Sequence, residues 1–166
     1  MLGESSLSER TDREGSGSIR FRRIWFEDKE GKKLSCAFSG RDVQVCLEYE
    51  TRHEVPTAEL EAAIAIYSPT GFCISEISSN YSGQKLGQSR SGVGLIRCLL
   101  PRLPLNRGAY PINIIAQAGP EVLDYVVNAG VLEVETGDFY GTGKVSSDEK
   151  RYVLLHQRWS HENNSS

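Results

Sequence analysis

The sequence predicts an all-β fold, an antiparallel β-sandwich of the immunoglobulin or jelly-roll type with about eight or nine strands. Hydrophobic and polar residues alternate along most of the chain, which is the period of a strand with one buried face. The alternating runs are short and are bounded by Gly, Pro, Ser and Asn, the residues that form turns. The 166 residues are enough for one domain with a substantial core.

Two strands are predicted from runs in the first third of the chain. The run FRRIWFED, taken as a strand, turns Phe21, Ile24 and Phe26 inward and leaves Trp25 on the outer face. The run DVQVCLEYE alternates more regularly, so it is typical of a half-buried strand. Its buried face carries Val43, Val45, Leu47 and Tyr49, and its outer face carries Gln44, Cys46 and Glu48.

The middle of the chain contains one ambiguous segment. TAELEAAIAIYSPTG is rich in Ala and Glu, which favour a helix, but IAIY directly before the turn residues SPTG favours a strand. We predict a strand that ends at Tyr67. FCISEIS and GLIRCLL are further strand-like runs, the second with Arg97 on its outer face. YPINIIAQ places Tyr110, Ile112, Ile114 and Ala116 on one face, with Asn113, Ile115 and Gln117 opposite.

The last strands are predicted from VLDYVV, GVLEVE and RYVLLHQRW. We expect the third of these to close the sandwich, with Trp159 packed in the core. Both tails differ in composition. Residues 1–18 are polar and end in a Gly/Ser run, so we expect a flexible linker or an expression remnant there. The folded unit is then 19–159, followed by a flexible tail over 160–166.

Charge and targeting signals limit the function classes. The net charge of −3 argues against a nucleic-acid-binding protein. Residues 1–18 lack the apolar segment of a signal peptide, and no apolar run approaches the ~18 residues of a membrane span. We therefore expect a cytoplasmic domain. The widely spaced cysteines are expected to be reduced, buried and inert; they are Cys36, Cys46, Cys73 and Cys98.

The segment GDFYGTGKVS resembles a phosphate-binding loop without matching it. Five residues, not four, separate Gly137 from Gly143, and Val145 stands where a magnesium-binding Ser or Thr is needed. A polar loop and a strand-like run follow, where a phosphate-binding loop requires a helix. We predict a flexible connection rather than a nucleotide site.

No catalytic or metal site is predicted. GQSRSG has Ser91 where a nucleophile elbow requires glycine. The three histidines, at positions 53, 156 and 161, lack the spacing of metal ligands. No cofactor is expected, and a binding module is favoured over a hydrolase or lyase.

Several segments, taken in order, resemble one known family. They are FRRIWFEDKEG, FSGRDVQVCLEYET, AAIAIYSPTGFCISEISSN, LPRLPLNRGAYPINI, LDYVVNAGVLEVE and the pair GTGKV and RYVLLHQRW. Together they resemble the C-terminal carbohydrate-binding domain of the ATPase subunit of O-antigen polysaccharide ABC transporters, from about Phe21 to Trp159. Asp124 falls where this family usually has an aspartate. Ser68 and Pro69 depart from the acidic or Asn residues that are commoner at their positions.

The resemblance implies a β-sandwich that recognises the non-reducing end of a finished glycan, often at a terminal modification, without acting on the sugar chemically. It also implies a homodimer, with an ATPase domain and a transmembrane subunit as partners at the inner face of the bacterial inner membrane. A protein-interaction or structural sandwich without a glycan ligand is the alternative.

Candidate ligand residues follow from the predicted outer faces of the strands, not from a family motif. Sugars present apolar ring faces and many hydroxyls, so they require aromatic rings beside amides, carboxylates and guanidinium groups. On this basis we expect a carbohydrate site among Trp25, Gln44, Glu48, Tyr67, Asn80, Tyr81, Arg97, Asn113 and Gln117.

Overall fold

The structure is a computed structural model, and it describes residues 3–52 and 56–163. The described residues contain no helix and eleven strands, four of which have only two or three residues. The strands are β1 (Glu4–Ser6), β2 (Arg13–Glu14), β3 (Ile19–Glu27), β4 (Lys33–Leu34), β5 (Ala37–Phe38), β6 (Val43–Thr51), β7 (Leu60–Tyr67), β8 (Cys73–Ser78), β9 (Gly92–Leu100), β10 (Gly108–Ala118) and β11 (Glu121–Glu135).

The strands form two sheets that pack face to face, which confirms the predicted β-sandwich. The first sheet has the order β1-β3-β6-β9, with β4 paired to β3. The second sheet has the order β2-β11-β10-β7-β8, with β5 paired to β11. All pairs are antiparallel except β5 with β11.

The core lies between the sheets and follows the predicted alternation. The inner face of the first sheet carries Phe21, Ile24 and Leu47, and that of the second carries Tyr110 and Ile112, all fully buried. The hydroxyl of Tyr110 donates to the carbonyl oxygen of Asn106 at 2.7 Å, so this polar group is paired inside the core. The ambiguous Ala-rich segment is strand β7, as predicted, because its Ile and Leu side chains alternate with a period of two.

Residues 3–18 include the two short strands β1 and β2, whereas a flexible linker was expected over residues 1–18. Strand β1 pairs with β3, β2 pairs with β11, and Leu7 is buried in the core. The guanidinium of Arg13 donates to Asp124 at 2.9 Å, and the same carboxylate oxygen accepts the backbone N–H of Phe21 at 2.7 Å. Pairing of β1 and β2 with neighbouring strands, burial of Leu7 and this buried ion pair therefore hold a segment whose composition is mostly polar.

The C-terminal part differs from the prediction in two ways. VLDYVV and GVLEVE belong to one strand, β11, because the intervening Asn128 and Ala129 lie in a bulge opposite β10 and not in a turn. RYVLLHQRW is not a strand: Val153 makes one isolated bridge to Leu105. Trp159 is 87% exposed, so it is not the expected core anchor.

The glycine-rich segment after β11 is a connection, as predicted. Phe139 inserts into the protein, while Gly141 and Gly143 adopt positive φ angles in an exposed loop. The Gly143 N–H donates to the Asp138 carboxylate at 2.9 Å, so this backbone N–H forms a hydrogen bond within the loop itself.

Other features of the described residues bear on function. They include no helix long and apolar enough to cross a membrane, and no cluster of His, Cys, Asp or Glu suited to a metal ion. The four cysteines are free thiols. The expectation that all are buried is correct for Cys46 alone. Cys36 and Cys98 are half-buried, and Cys73 is exposed because it lies on the outer face of the edge strand β8.

Candidate functional site

The nine predicted ligand residues lie on two separate surfaces, one on the outside of each sheet. Trp25, Gln44, Glu48 and Arg97 belong to strands of the first sheet. Tyr67, Asn80, Tyr81, Asn113 and Gln117 line a concavity on the second sheet. The sandwich separates the two groups, so they cannot form one site.

The outer face of the first sheet, here called the first-sheet face, is a network of ion pairs around Trp25. The guanidinium of Arg23 contacts both carboxylate oxygens of Glu48, at 3.0 and 2.6 Å, and it reaches Glu4 at 3.1 Å. The hydrogen bonds from Arg23 hold the pKa of Glu48 below its usual range. Arg23 and Glu48 are neighbours because β3 and β6 pair in that register.

Trp25 is enclosed by this network and is only 6% exposed. The Arg23 guanidinium lies 5.3 Å from the ring centroid and the Lys33 ammonium lies 5.1 Å from it, both within the range of cation–π contacts. The indole N–H donates to Glu27 at 2.7 Å, and Glu27 also contacts Arg97 at 3.6 Å. Trp25 therefore offers little free ring surface on which a sugar could stack.

Cys46 lies between Trp25 and Arg97 in the cross-strand row. Burial and, next, the charge of Glu27 raise the pKa of the Cys46 thiol to about 12, so it is not a reactive thiolate. Gln44 lies beside it, opposite Glu27 and Leu99. The polar groups of the first-sheet face thus mainly satisfy one another.

The outer face of the second sheet contains a groove of about 400 Å³, here called the second-sheet groove. Its floor is strand β7, which presents Ala63 and Ala65 outward between larger side chains on β8 and β10. The register places Ala65 between Asn113 and Glu76, and Ala63 between Ile115 and Ser78. Two small residues on a central strand therefore create the trough.

Aromatic and amide side chains border the groove. Tyr67, Tyr81 and Tyr125 supply rings, and Asn80, Asn113 and Gln117 supply amides. Tyr81 is 76% exposed on a compact turn after β8, where the Gly83 N–H donates to the Asn80 carbonyl oxygen. Loss of solvation and then the Cys73 thiol raise the pKa of the Tyr67 hydroxyl, so it stays protonated at neutral pH.

The side chain of Asn113 is engaged in hydrogen bonds within the protein. Its side-chain oxygen accepts the Asn128 N–H at 2.9 Å, and its amide nitrogen donates to the Tyr125 hydroxyl at 3.5 Å. Asn128 has a φ of 50° in the bulge of β11, a conformation that Asn tolerates better than most residues. Asn113 thus ties the bulge to Tyr125 and is only 6% exposed.

Sequence reasoning missed several residues of the groove. The alternation of LEAAIAIY places Glu61, Ala63 and Ala65 on the same face as Tyr67, so this part of the groove could have been found. Glu76 and Tyr125 give a weaker signal, because the register that brings them to β7 and β10 is not visible in the sequence.

The chemical capacity of the groove is that of a polar binding site. A volume of about 400 Å³ is within the range of small-molecule sites. Tyrosine rings can cover apolar ligand faces, while amides and carboxylates can pair with hydroxyl groups.

Comparison with known proteins gives a family and a fold. No match was found among curated protein sequences. A crystal structure of the C-terminal domain of Wzt superimposes with a TM-score of 0.69 at 18% identity, covering 92% of this chain and 90% of that one. A putative β-galactosidase from Bacteroides fragilis is 19% identical over 72% of this chain and 16% of its own, with a TM-score of only 0.39. The family model described as the Wzt C-terminal domain matches residues 10–145, and the chain therefore belongs to the Wzt C-terminal domain family.

Proposed function

We propose that this domain binds the non-reducing end of an O-antigen polysaccharide in the second-sheet groove and thereby commits that polysaccharide to export by an ABC transporter. The observation that carries the proposal is the concave trough over Ala63 and Ala65, bordered by tyrosines and amides. Membership of the Wzt C-terminal domain family supports the transporter context.

The groove suits the end of a polysaccharide better than its middle. The groove has a volume of only about 400 Å³, and Tyr81 lies on a turn that borders it. A terminal sugar, with or without a modification, would place its ring face against a tyrosine and its hydroxyls against Gln117 and Asn80. Each hydrogen bond formed in this way contributes about 0.5–1.5 kcal/mol.

The domain's role is recognition without chemistry on the sugar. ATP hydrolysis would belong to an ATPase domain that acts with a transmembrane subunit at the cytoplasmic face of the bacterial inner membrane.

We also propose that the domain acts as a homodimer. The edge strand β9 exposes Val93, Leu95 and Leu99, and the C-terminal segment exposes Leu155 and Trp159. Burial of these apolar side chains against a second copy would favour association. Light scattering should give a dimer mass for the native chain, and a monomer mass after Leu155→Glu combined with Leu99→Glu. A monomeric native chain would contradict the proposal.

Calorimetric titration of the domain with a panel of O-antigen polysaccharides tests the function. We expect one polysaccharide to bind and to lose binding when its non-reducing terminal residue is removed enzymatically. Tyr125→Ala should weaken this binding, because it removes a ring from the groove. Arg97→Ala on the first-sheet face is the matched control and should leave it unchanged.

Two outcomes would contradict the proposed site or function. Loss of binding in Arg97→Ala with full binding in Tyr125→Ala would move the site to the first-sheet face. No glycan binding, together with a stable complex with an unrelated protein, would favour a protein-interaction module.

A further inference from the structure

We infer that the second-sheet groove selects glycan ends that carry no negative charge and that present hydroxyl or amino donors to Glu61 and Glu76. This inference rests on the proposed function and adds the chemical class of the ligand. It follows from the distribution of charge over the two faces of the sandwich.

The lining of the groove is acidic. The fourteen described residues that line it include the carboxylates of Glu61 and Glu76 but no Lys, Arg or His. Lys85, the cation nearest in sequence to the turn at Asn80, is not among them. A cleft lined by charges of one sign focuses their field and repels ligands of the same sign.

Neither carboxylate is neutralised by a neighbour. Among the described residues, neither Glu61 nor Glu76 makes a salt bridge, whereas Glu4, Glu27 and Glu48 on the other sheet all do. The groove carboxylates therefore keep their capacity to accept hydrogen bonds from a ligand.

The two carboxylates are placed at different points along the trough. Glu61 lies opposite Gln117, and Glu76 lies opposite Ala65, four residues further along β7. At about 3.3 Å per residue, these positions are about 13 Å apart along the strand. An anionic group bound near either of these positions would face a carboxylate without a compensating cation in the described lining of the groove.

The surroundings of Tyr67 agree with this placement. Desolvation and the Cys73 thiol are the main causes of the raised pKa of its hydroxyl, and the charge of Glu76 adds to them. The Glu76 carboxylate therefore acts on the same part of the groove as Tyr67 and Cys73.

Unpaired charge is also an effective way to reject a wrong ligand. A uronic acid, or a terminal phosphate, would set like charges against each other at a desolvated contact. A hydroxyl or an ammonium group would instead donate to the carboxylates, and such charge-assisted hydrogen bonds are stronger than neutral ones.

Cys73 provides a test that needs no glycan. Its exposed thiol lines the groove, so its rate of reaction with charged methanethiosulfonates reports the local potential. The probes are the cationic trimethylammonium-ethyl and the anionic sulfonatoethyl reagents, with modification followed by peptide mass mapping. We expect Glu61→Gln combined with Glu76→Gln to lower the cation-to-anion rate ratio at Cys73 by about threefold or more. The ratio at Cys36 in the same samples is the control and should not change.

A glycan panel tests the selectivity itself. Each neutral terminal sugar is paired with its uronic acid and its amino sugar on the same core. In every pair that binds, we expect the uronate to bind at least about tenfold more weakly than the neutral sugar, and the double Gln variant to remove most of that difference.

The outcomes separate this inference from the proposed function. A uronate that binds as tightly as its neutral partner, or an unchanged rate ratio at Cys73, would overturn the inference alone. Failure of every glycan to bind would overturn it together with the proposed function. Circular dichroism of the double variant confirms its folding, which we expect because neither glutamate is buried in the core.

Discussion

The two outer faces of the sandwich contain similar residue types and differ in what those residues contact. On the first-sheet face, Arg23 and Lys33 cover Trp25, and Glu48 is fully engaged by Arg23. On the second sheet, two alanines leave a trough in which Glu61 and Glu76 have no cationic partner among the described residues. Exposed polar and aromatic side chains therefore indicate a binding site only where neighbouring side chains leave them unpaired and leave space.

The largest expected effect comes from filling the trough. Ala65→Trp places a large ring on the floor of the groove, outside the core, so it should reduce glycan affinity by about 100-fold or more through steric exclusion. Calorimetric titration measures the affinity, and thermal unfolding should show little change. Glu50→Trp, at a partly exposed position on the first sheet that does not line the groove, is the matched control and should bind normally. Full binding by Ala65→Trp would place the ligand elsewhere.

Removal of the Asn113 side chain should affect both stability and binding. Asn113→Ala leaves the Asn128 N–H without its acceptor, which should lower the free energy of unfolding by about 1–3 kcal/mol. Binding should weaken as well, because Tyr125 loses its contact with the amide. Denaturant unfolding measures the first effect and calorimetric titration the second.

Asn113→Asp separates the two roles of this residue. The aspartate keeps an acceptor for the Asn128 N–H and removes the amide donor to Tyr125. Its stability should exceed that of Asn113→Ala, while its binding should remain weakened. Equal stability of the two variants would show that the cost of burying a carboxylate offsets the hydrogen bond to the bulge.

Substitutions on the first-sheet face should change the stability of the protein without changing its affinity for glycans. Arg23→Ala removes the pair of hydrogen bonds to Glu48 and the contact over Trp25, and it should lower the free energy of unfolding by about 1 kcal/mol because the pair is partly exposed. Glycan affinity should not change. Arg22→Ala, whose contacts with Glu48 and Glu50 are about 4 Å long, is the control and should have a smaller effect.

The smallest expected effect is a pH dependence that belongs to the same face. Since Arg23 lowers the pKa of Glu48 in the folded protein, the stability from this pair is present above the unfolded pKa of about 4.3 and is lost as pH falls through the folded pKa. The difference in unfolding midpoint between native protein and Glu48→Gln should therefore shrink from pH 6 to pH 3. A difference that is constant over this range would contradict the assigned ion pair.

The sequence predicted the fold well and the site only in part. Period-two alternation indicated β6 and β10 with the correct buried faces, because burial of one face of a strand imposes that pattern, and the run of β7 was correctly predicted as a strand. The same pattern is weak at the N-terminus, where a polar segment is held by burial of Leu7 and by the Arg13–Asp124 pair, whose members are more than a hundred residues apart in the chain. The pattern gave a wrong prediction of a strand at RYVLLHQRW, because this run has no neighbouring strand along most of its length.

By itself, the sequence determined that this protein is a β-sandwich, which residues of the long strands face inward, and which family it resembles. Only the tertiary structure decided that Trp25 and Arg97 lie on the opposite side of the molecule from Tyr67 and Gln117. The physical reason is that alternation distinguishes the inside of a strand from its outside but does not specify the sheet to which the strand belongs. Sheet membership and register depend on pairing between distant segments, and this pairing placed two alanines beneath a ring of polar side chains.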